Sequence, residues 1–418
     1  MSRPPRPLAP VDLADPRVFT QGIPHTAFET IRSEPGLVWN AIDGDRDDGY
    51  WVVTRHADVV TVSRDPETFS CAVGHIQIYD IDEDALDARA SMIDMDPPVH
   101  TRLRRLVSKA FTPRHVQSYT SAIRSRVRAA LDDLVAAGGG DWVETIAKPI
   151  PIGVICDILG VPDTDHALMV ELSDHLVAGT STSPLPADAY GNTTPLRLLP
   201  FNSPAAHALN EYALDLGRRR RNDPHDDLVT KLIEAEIDGE RLTDDEFANF
   251  FRLMIFAGNE TTRSSMSHLA LHLVDHPDAF SAVAADRSLL AGAAEEVVRY
   301  SSPILYFRRT ATRDCALSGT AIEAGEKVVM YYAAADFDPA VFPDPLRFDV
   351  TRPNVPVNVA FGGGGAHFCL GASLARLELV ELIDEILDRD LTLEIGGEPV
   401  FVDSNFVNGI EMLDVSVT

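Results

Sequence analysis

A lone cysteine near the C-terminal end of the chain follows a glycine-rich stretch, in AFGGGGAHFCLGASLARLE at residues 360–378. Three interpretations of Cys369 remain open on these residues: a buried structural thiol, a nucleophile beside a histidine, or a thiolate that ligates a metal. A helix is expected to begin at this cysteine, so backbone N–H groups and the helix dipole can stabilise a thiolate. The glycines let the backbone approach a large flat group, and a thiolate on haem iron meets all of these conditions.

An acid and an alcohol stand side by side at Glu260 and Thr261, within a long segment of helical periodicity. Thr243 and Glu246 predict a capping box at the start of that segment, and a His-Pro pair at 276–277 marks its end. The spacing predicts one helix of about 33 residues, or about 50 Å in length.

One face of this predicted helix combines a glycine with polar side chains. Gly258 opens a groove at a cost of about 1 kcal/mol relative to alanine. The hydroxyl group of Thr261 is expected to bond to the carbonyl group of Ala257. A helix that only tolerates these polar residues remains the alternative to a chemical site. The residues that share the face at helical spacing are Met254, Gly258, Thr261 and Ser265.

The composition indicates a soluble globular protein and disfavours several classes of partner. The 36 basic and 64 acidic residues give a net charge of −28, which opposes binding to nucleic acids and to anionic lipid surfaces. The 4 cysteines form no CxxC pair, so a disulfide framework or structural zinc site is not expected and a reducing cytoplasm is the simpler location. No segment resembles a signal peptide or a membrane span.

The pattern along the chain predicts a mainly helical protein with minor β structure. One domain is expected over residues 1–418, with a flexible N-terminal arm over about residues 1–15. Breaker-rich segments at 72–94 and 175–205 are interpreted as a mobile loop and a lid. A last amphipathic helix is predicted over about residues 370–389.

The segment from Phe361 to Gly371, FGGGGAHFCLG, resembles the haem-binding loop of the cytochrome P450 monooxygenases. Phe361 lies eight residues before Cys369, where seven is usual. This longer form is similar to a bacterial subgroup whose members oxidise sterols, terpenoids and branched alkyl chains. The resemblance spans the chain from about residue 50 onward. It implies a single cytochrome P450-type fold, a triangular helical prism with small β-sheets, and haem b with Cys369 as its axial thiolate.

The resemblance also implies roles for residues that spacing alone leaves ambiguous. In the family, the residues that match Glu260 and Thr261 relay protons to oxygen on the iron. From its sequence alone, the predicted helix after Asp96 is interpreted as an ordinary basic helix exposed to solvent. The residues that match propionate ligands are His100, Arg104, Arg309 and His367. The other positions expected against the haem are Gly258, Phe361, Gly363 and Gly371.

Two further sets of charged residues match features of the family. Glu296 and Arg299 stand three apart on a predicted helix, where an exposed ion pair of little value is the alternative. The family completes this pair with an arginine that Arg347 matches, in a triad that braces the haem loop. The second set forms an outward basic patch suited to docking an acidic ferredoxin; its members are Arg102, Arg105 and Lys109.

The resemblance therefore implies a haem-thiolate monooxygenase that hydroxylates a lipophilic molecule, such as a steroid, terpenoid or hydrocarbon-like compound. It would use O2 and electrons from a ferredoxin, which a ferredoxin reductase reduces with NAD(P)H. The alternatives are a haem-thiolate peroxygenase and a non-catalytic haem sensor or electron-transfer protein; the acid–alcohol pair argues against both. No cluster of arginines suggests an anchor for a substrate carboxylate, although Arg308 is a candidate for one. The candidate pocket residues are Ile76, Ile78, Met254, Ala257, Ile304, Leu305, Phe406 and Val407.

Overall fold

The computed structural model describes residues 6–42, 44–80, 91–178, 204–236, 239–353 and 358–418. Helices make up most of its regular structure, as the sequence predicts. They are α1 (His25–Ser33), α2 (His56–Arg64), α3 (Val99–Val107), α4 (Pro113–Val116), α5 (Thr120–Ala137), α6 (Pro149–Leu159), α7 (His166–Ala178), α8 (Pro204–Asn222), α9 (Leu228–Glu234), α10 (Asp244–Asp275), α11 (Pro277–Ala285), α12 (Leu290–Ser301), α13 (Tyr332–Ala335) and α14 (Ala372–Asp388).

The strands form small sheets. They are β1 (Val38–Ile42), β2 (Asp45–Val53), β3 (Phe69–Ser70), β4 (Gly139–Asp141), β5 (Tyr306–Ala311), β6 (Cys315–Leu317), β7 (Thr320–Ile322), β8 (Lys327–Tyr331), β9 (Leu393–Ile395), β10 (Val400–Phe401), β11 (Ile410–Met412) and β12 (Asp414–Val417). The largest sheet has the order β1-β2-β8-β5-β3, in which β2 and β8 run parallel and the other pairs antiparallel. The predicted class, mainly helical with minor β structure, is confirmed.

The long helix α10 runs through the core and carries the acid–alcohol pair. The hydroxyl group of Thr243 accepts from the N–H of Glu246, whose side chain accepts from the N–H of Thr243, so the predicted capping box is present. The helix packs against α6, α8, α12 and α14. Because these neighbours surround it, its burial is not confined to one stripe.

Three segments differ from their simple sequence patterns. Residues 6–15 of the predicted arm lie against the large sheet, where Leu13 is fully buried and Leu8 bridges to Trp39. In the segment 72–94, residues 72–80 pack into the fold and residues 81–90 lie outside the described residues. The predicted lid falls largely on residues 179–203, which also lie outside them. Helix α6 was not predicted from the sequence, because PIPIGVICDIL is apolar all round and shows no period.

A buried ion-pair cluster joins α12 to the chain that leads toward Cys369. Arg299 donates from Nε to Glu296 at 2.7 Å and from Nη1 to the carbonyl group of Asp336 at 2.7 Å. The Asp336 carboxylate in turn accepts from the N–H of Val359 at 2.6 Å. This chain of bonds links α12 to the end of α13 and to the turn that precedes the cysteine loop.

The third arginine of this cluster is Arg352, so the prediction of Arg347 is wrong. Arg352 donates from Nε to Glu296 at 3.1 Å. Arg347 closes a tight turn with Asp344, whose φ is +46°, and its side chain lines a surface groove beside His25. The turn at Asp344 reverses the direction of the chain. As a result Arg352, and not Arg347, lies against the carboxylate of Glu296.

Substitution of the two arginines is expected to lower stability by different amounts. Arg352→Ala is expected to lower the free energy of unfolding by about 1.5–3 kcal/mol, because it removes hydrogen bonds to a buried carboxylate and to backbone carbonyl groups. Arg347→Ala is expected to change it by no more than about 0.5 kcal/mol. Denaturant midpoints of the two variants, measured side by side, test the assignment; a larger loss in Arg347→Ala would restore the original triad.

Candidate active site

A cavity of about 1300 Å³, including its open mouth, lies between α10 and the loop that carries Cys369. Its walls are mostly apolar, and one face of α10 forms a side of it. That face contributes Met254, Ala257, Gly258, Thr261, Thr262 and Ser265.

Cys369 lines this cavity and is exposed toward it. The N–H of Cys369 donates to the carbonyl group of Phe361 at 2.9 Å, which closes the loop. Burial raises the pKa of the thiol, whereas the N–H groups of Gly371 and Ala372 and the charge of Arg104 oppose that rise. The site thus aims N–H groups at the sulfur, as a thiolate ligand requires.

The glycine run serves the packing of the loop on α2. A Cβ atom on Gly363 would meet the hydroxyl oxygen of Ser63 at 2.6 Å and the carbonyl oxygen of Val59 at 2.9 Å. Gly365, at φ +77°, would meet the carbonyl oxygen of Ser63 at 2.5 Å. Gly363, which was expected against the cofactor, does not line the cavity, whereas Gly362 does, beside Phe361 and Gly371.

The close approach of a neighbouring helix leaves no room for a side chain at Gly258. A Cβ atom there would lie 2.5 Å from Cδ1 of Ile155 on α6. Gly258 lines the cavity, as predicted, and it also allows α6 and α10 to approach closely.

Three of the four predicted donor residues line one end of the cavity, namely His100, Arg104 and His367. The fourth, Arg309, acts on His367 through its charge but does not itself line the cavity. The rings of His100 and His367 lie 4.1 Å apart between centroids, and Nη2 of Arg104 donates to the carbonyl group of Phe368 at 2.5 Å. Nδ1 of His100 is buried without a hydrogen-bond partner among the described residues. Burial, with Arg104, lowers the pKa of His100 to about 4, and burial, with Arg309, lowers that of His367 to about 2.

This donor set fits an anionic group that the polypeptide does not itself supply. An unpartnered buried nitrogen is rare in folded proteins and indicates a missing acceptor. The propionate carboxylates of haem, with the sulfur of Cys369 on the iron, match both the acceptor and the adjacent thiol. The residues present therefore fit haem b.

The two members of the acid–alcohol pair face different surroundings. The hydroxyl group of Thr261 lines the cavity and donates to the carbonyl group of Ala257 at 2.9 Å, as predicted. The side chain of Glu260 is buried away from the cavity lining, 4.0 Å from Arg263. Burial raises the pKa of Glu260 to about 7, against the opposing charge of Arg263. Its carboxyl group therefore exchanges a proton near neutral pH.

Ion pairs continue from Glu260 toward the surface. Arg263 lies 3.2 Å from Asp174 on α7, and Asp174 lies 2.7 Å from Nζ of Lys148. The Asp174 side chain is 34% exposed, so this line of charged groups reaches solvent. This line of ion pairs could not be predicted from local sequence, because α7 and α10 are far apart along the chain.

Comparison with known proteins decides the family. The family model of cytochrome P450 matches residues 205–399. A steroid C26-monooxygenase from Mycolicibacterium smegmatis is 36% identical over 415 residues, which cover 97% of this chain and 93% of that protein. The chain belongs to the cytochrome P450 family. As a cytochrome P450, it is a monooxygenase.

Other similar proteins agree with this placement. A methyl-branched lipid omega-hydroxylase from Mycobacterium bovis is 38% identical, over 93% of this chain and 90% of that one. The crystal structure of a Mycobacterium marinum cytochrome P450 in complex with pseudoionone has a TM-score of 0.86 at 37% identity, with coverage of 98% and 99%. The cytochrome P450 fold predicted from the sequence is confirmed. Within the described ranges, no helix of this P450 is both long and apolar enough to cross a membrane.

The apolar pocket of this P450 contains only part of the predicted set. Met254, Ala257 and Ile304 line the cavity. The other predicted residues belong to a separate core cluster beside the large sheet and do not line it; they are Ile76, Ile78, Leu305, Phe406 and Val407. The apolar wall that the sequence analysis missed is formed by Met92, Ile93, Phe111, Phe250, Leu253 and Phe307. Helical spacing from Met254 indicates Phe250, one turn earlier.

Two predicted charged features have internal partners. Arg308 is buried and donates to Asp80 at 2.7 Å, so it is engaged in the fold and the expected substrate anchor is wrong. Arg102 pairs with Glu246 and lies 3.5 Å from Glu240, which removes it from the free basic patch.

Proposed function

We propose that this P450 binds haem b through the thiolate of Cys369 and hydroxylates a neutral lipophilic substrate of the steroid or methyl-branched lipid class. The observation that carries the proposal is the apolar cavity above the Cys369 thiol, bounded by Met254, Ala257 and Phe250. Haem, when bound, supplies the activation of O2 and the oxidation of a C–H bond.

The charges around the cavity favour a neutral substrate. Arg104, His100 and His367 lie where haem carboxylates would be held, and Arg308 is already paired with Asp80. No other cationic side chain of the described residues lines the cavity. A free fatty acid would bury its carboxylate unpaired, which is costly. Steroids and methyl-branched lipids, the substrates named for two relatives, suit these walls.

The polypeptide contributes proton delivery and exclusion of water. The Thr261 hydroxyl group is held at the cavity by the carbonyl group of Ala257, and Glu260 holds an exchangeable proton one residue away. The charged line through Arg263 and Asp174 connects Glu260 with solvent. The apolar wall keeps bulk water from the reacting carbon atom. The presence of proton-donating groups beside the cavity supports the use of O2, because a peroxygenase or a haem sensor does not need to deliver protons to bound oxygen.

Electron supply is proposed to come from a ferredoxin, with a ferredoxin reductase and NAD(P)H. Arg105 and Lys109 are exposed at the end of α3 and in the turn after it. On a chain with a net charge of −28, they give a local surface of opposite sign that can steer an acidic partner.

The function is tested by an absorption titration of the ferric protein with cholest-4-en-3-one, a methyl-branched alkane, a monoterpenoid ketone and a linear fatty acid. We expect a blue shift of the haem band with the steroid or the branched alkane, and a product oxidised at a terminal methyl group. The fatty acid should bind at least about tenfold more weakly, because its carboxylate has no partner. Equal or tighter binding of the fatty acid would contradict the neutral-substrate assignment, and a protein that binds no haem would overturn the site itself.

A further inference from the structure

Three side chains of types that bind metal ions converge beside the residues that fit the haem carboxylates. They are Cys71, which follows β3, Asp96, which precedes α3, and His367 in the cysteine loop. One ligand atom of each lies within 4.8 Å of the other two. His367 lines the cavity, whereas Cys71 and Asp96 do not. The cluster therefore begins at the cavity wall and extends from there into the protein.

The distances within this cluster match the ligand set of a four-coordinate metal ion. Sγ of Cys71 lies 3.3 Å from Nε2 of His367, 3.2 Å from Oδ1 of Asp96 and 3.2 Å from the carbonyl oxygen of Met95. Zinc binds sulfur at about 2.3 Å and nitrogen or oxygen at about 2.0–2.2 Å, so the ligand atoms of a tetrahedral site lie about 3.5 Å apart. Small outward movements of these side chains are enough to admit the ion.

The charges of the cluster suit a divalent ion that replaces the thiol proton. Cys71 is fully buried, and burial is the main reason that the pKa of its thiol is raised. Coordination reverses this preference, because a dication deprotonates a thiol that binds it. The thiolate and the carboxylate of Asp96 then balance the two positive charges of the ion. Arg309, whose charge acts on both Cys71 and His367, faces a neutral assembly.

We propose that Cys71, Asp96 and His367 bind one Zn²⁺ ion, with the carbonyl oxygen of Met95 as the fourth ligand. A thiolate, an imidazole and a carboxylate together favour zinc over Mg²⁺ and Ca²⁺, which prefer oxygen ligands. The zinc–sulfur bond forms as the S–H bond breaks, the proton passes to solvent, and no electrons move. The hydroxyl group of Ser70 donates to the other carboxylate oxygen of Asp96, which orients this ligand.

The ion would connect three segments that are far apart in the chain: the end of β3, the residues before α3 and the cysteine loop. Zinc-bound histidines commonly donate their second ring N–H to a carboxylate, and ligation through Nε2 of His367 leaves Nδ1 for a haem carboxylate. Zinc is therefore expected to raise the denaturant concentration at which haem is released. This role is structural and does not depend on the substrate class proposed above.

Zinc binding is measured by isothermal titration calorimetry of the haem-loaded protein, without a histidine tag. We expect one ion per chain, and binding at least about 100-fold weaker in Cys71→Ser, because even substitutions outside the ligand shell typically cost about 10–100-fold. The matched control is His166→Gln, in the other group of potential ligands among the described residues, which has no sulfur and includes Asp157 and Asp163. Unchanged binding in Cys71→Ser, or loss in His166→Gln alone, would overturn the site.

X-ray absorption at the zinc edge identifies the sulfur ligand directly. Wild type should show one sulfur at about 2.3 Å from zinc, and Cys71→Ser should show none. Cys369→Ser, which removes the thiol proposed for the haem iron, should keep the zinc–sulfur signal. Loss of that signal in Cys369→Ser, or its absence in wild type, contradicts the proposal. Because Cys369→Ser reports on zinc without haem ligation, failure of the zinc site and failure of the proposed function are distinguishable.

Discussion

The Glu260→Gln variant is expected to form product at least about 100-fold more slowly than wild type, because general acids typically contribute 10²–10⁴-fold. The amide has the shape of the acid but holds no acidic proton one residue from Thr261. Electrons should still be consumed, so the product formed per NAD(P)H oxidised should fall as well. The measurement is product per NAD(P)H in a system reconstituted with a surrogate ferredoxin and reductase.

The pH dependence identifies the group responsible. Burial holds the pKa of Glu260 at about 7, raised from 4.5, so the protonated donor form is lost as the pH rises through about 7. Wild-type turnover should decline over that range, and the residual turnover of Glu260→Gln should not. Glu260→Asp retains an acid and should recover part of the rate. An unchanged pH profile in Glu260→Gln would assign the titration to another group.

The raised pKa of Glu260 also makes the stability of the native state depend on pH. Glu260 binds a proton more tightly in the native state than in the unfolded chain, where the pKa of its carboxyl group is 4.5. Native stability is therefore lost as the pH rises from about 4.5 through about 7 and is constant above that for this group. Glu260→Gln should remove this part of the pH dependence of the unfolding midpoint.

The Arg299→Leu variant is expected to lose about 3–5 kcal/mol of stability, because it leaves the buried carboxylate of Glu296 without its principal partner. It also removes the bonds to the carbonyl groups of Asp336 and Pro345. Since Asp336 holds the N–H of Val359 before the cysteine loop, we expect haem to be released at lower denaturant concentration as well. Denaturant titrations followed at the haem band and by far-UV circular dichroism measure both effects.

A double variant separates two contributions to stability: the cost of an unpaired buried charge at Glu296 and the loss of the hydrogen bonds from Arg299 to backbone carbonyl groups. Glu296→Leu combined with Arg299→Leu removes both charges and should recover part of the loss, since an apolar pair avoids the unpaired carboxylate. Recovery should be incomplete, because the carbonyl groups that Arg299 bonds remain without donors. If Arg299→Leu alone unfolded at the wild-type midpoint, the cluster would have no role in stability.

Several features of the protein follow from local sequence. The capping box and the His-Pro pair bound α10 to within a residue, and the bond between Thr261 and Ala257 follows from helical spacing alone. The thiol of Cys369 lies before α14, in a loop whose N–H groups point at the sulfur. These are contacts over a few residues, for which propensity and period carry the information.

Tertiary structure decided which element each side chain meets. The family resemblance pointed to Arg347 as the third member of the Glu296 cluster, whereas the turn at Asp344 brings Arg352 to that carboxylate. Likewise, the glycine run was needed for close packing on α2, and only the packing of α14 on α10 brings Glu378 to the cavity wall.

The sequence by itself thus determined the family, the thiol and the long helix that carries the acid and the alcohol. The pocket walls, the burial of Glu260 away from the cavity lining and the partner of each arginine were decided by the fold. The physical reason is that helical and strand periods fix the direction of a side chain relative to its own element. The neighbour on that side, and hence the pKa or ion pair that results, depends on packing between segments far apart in the chain.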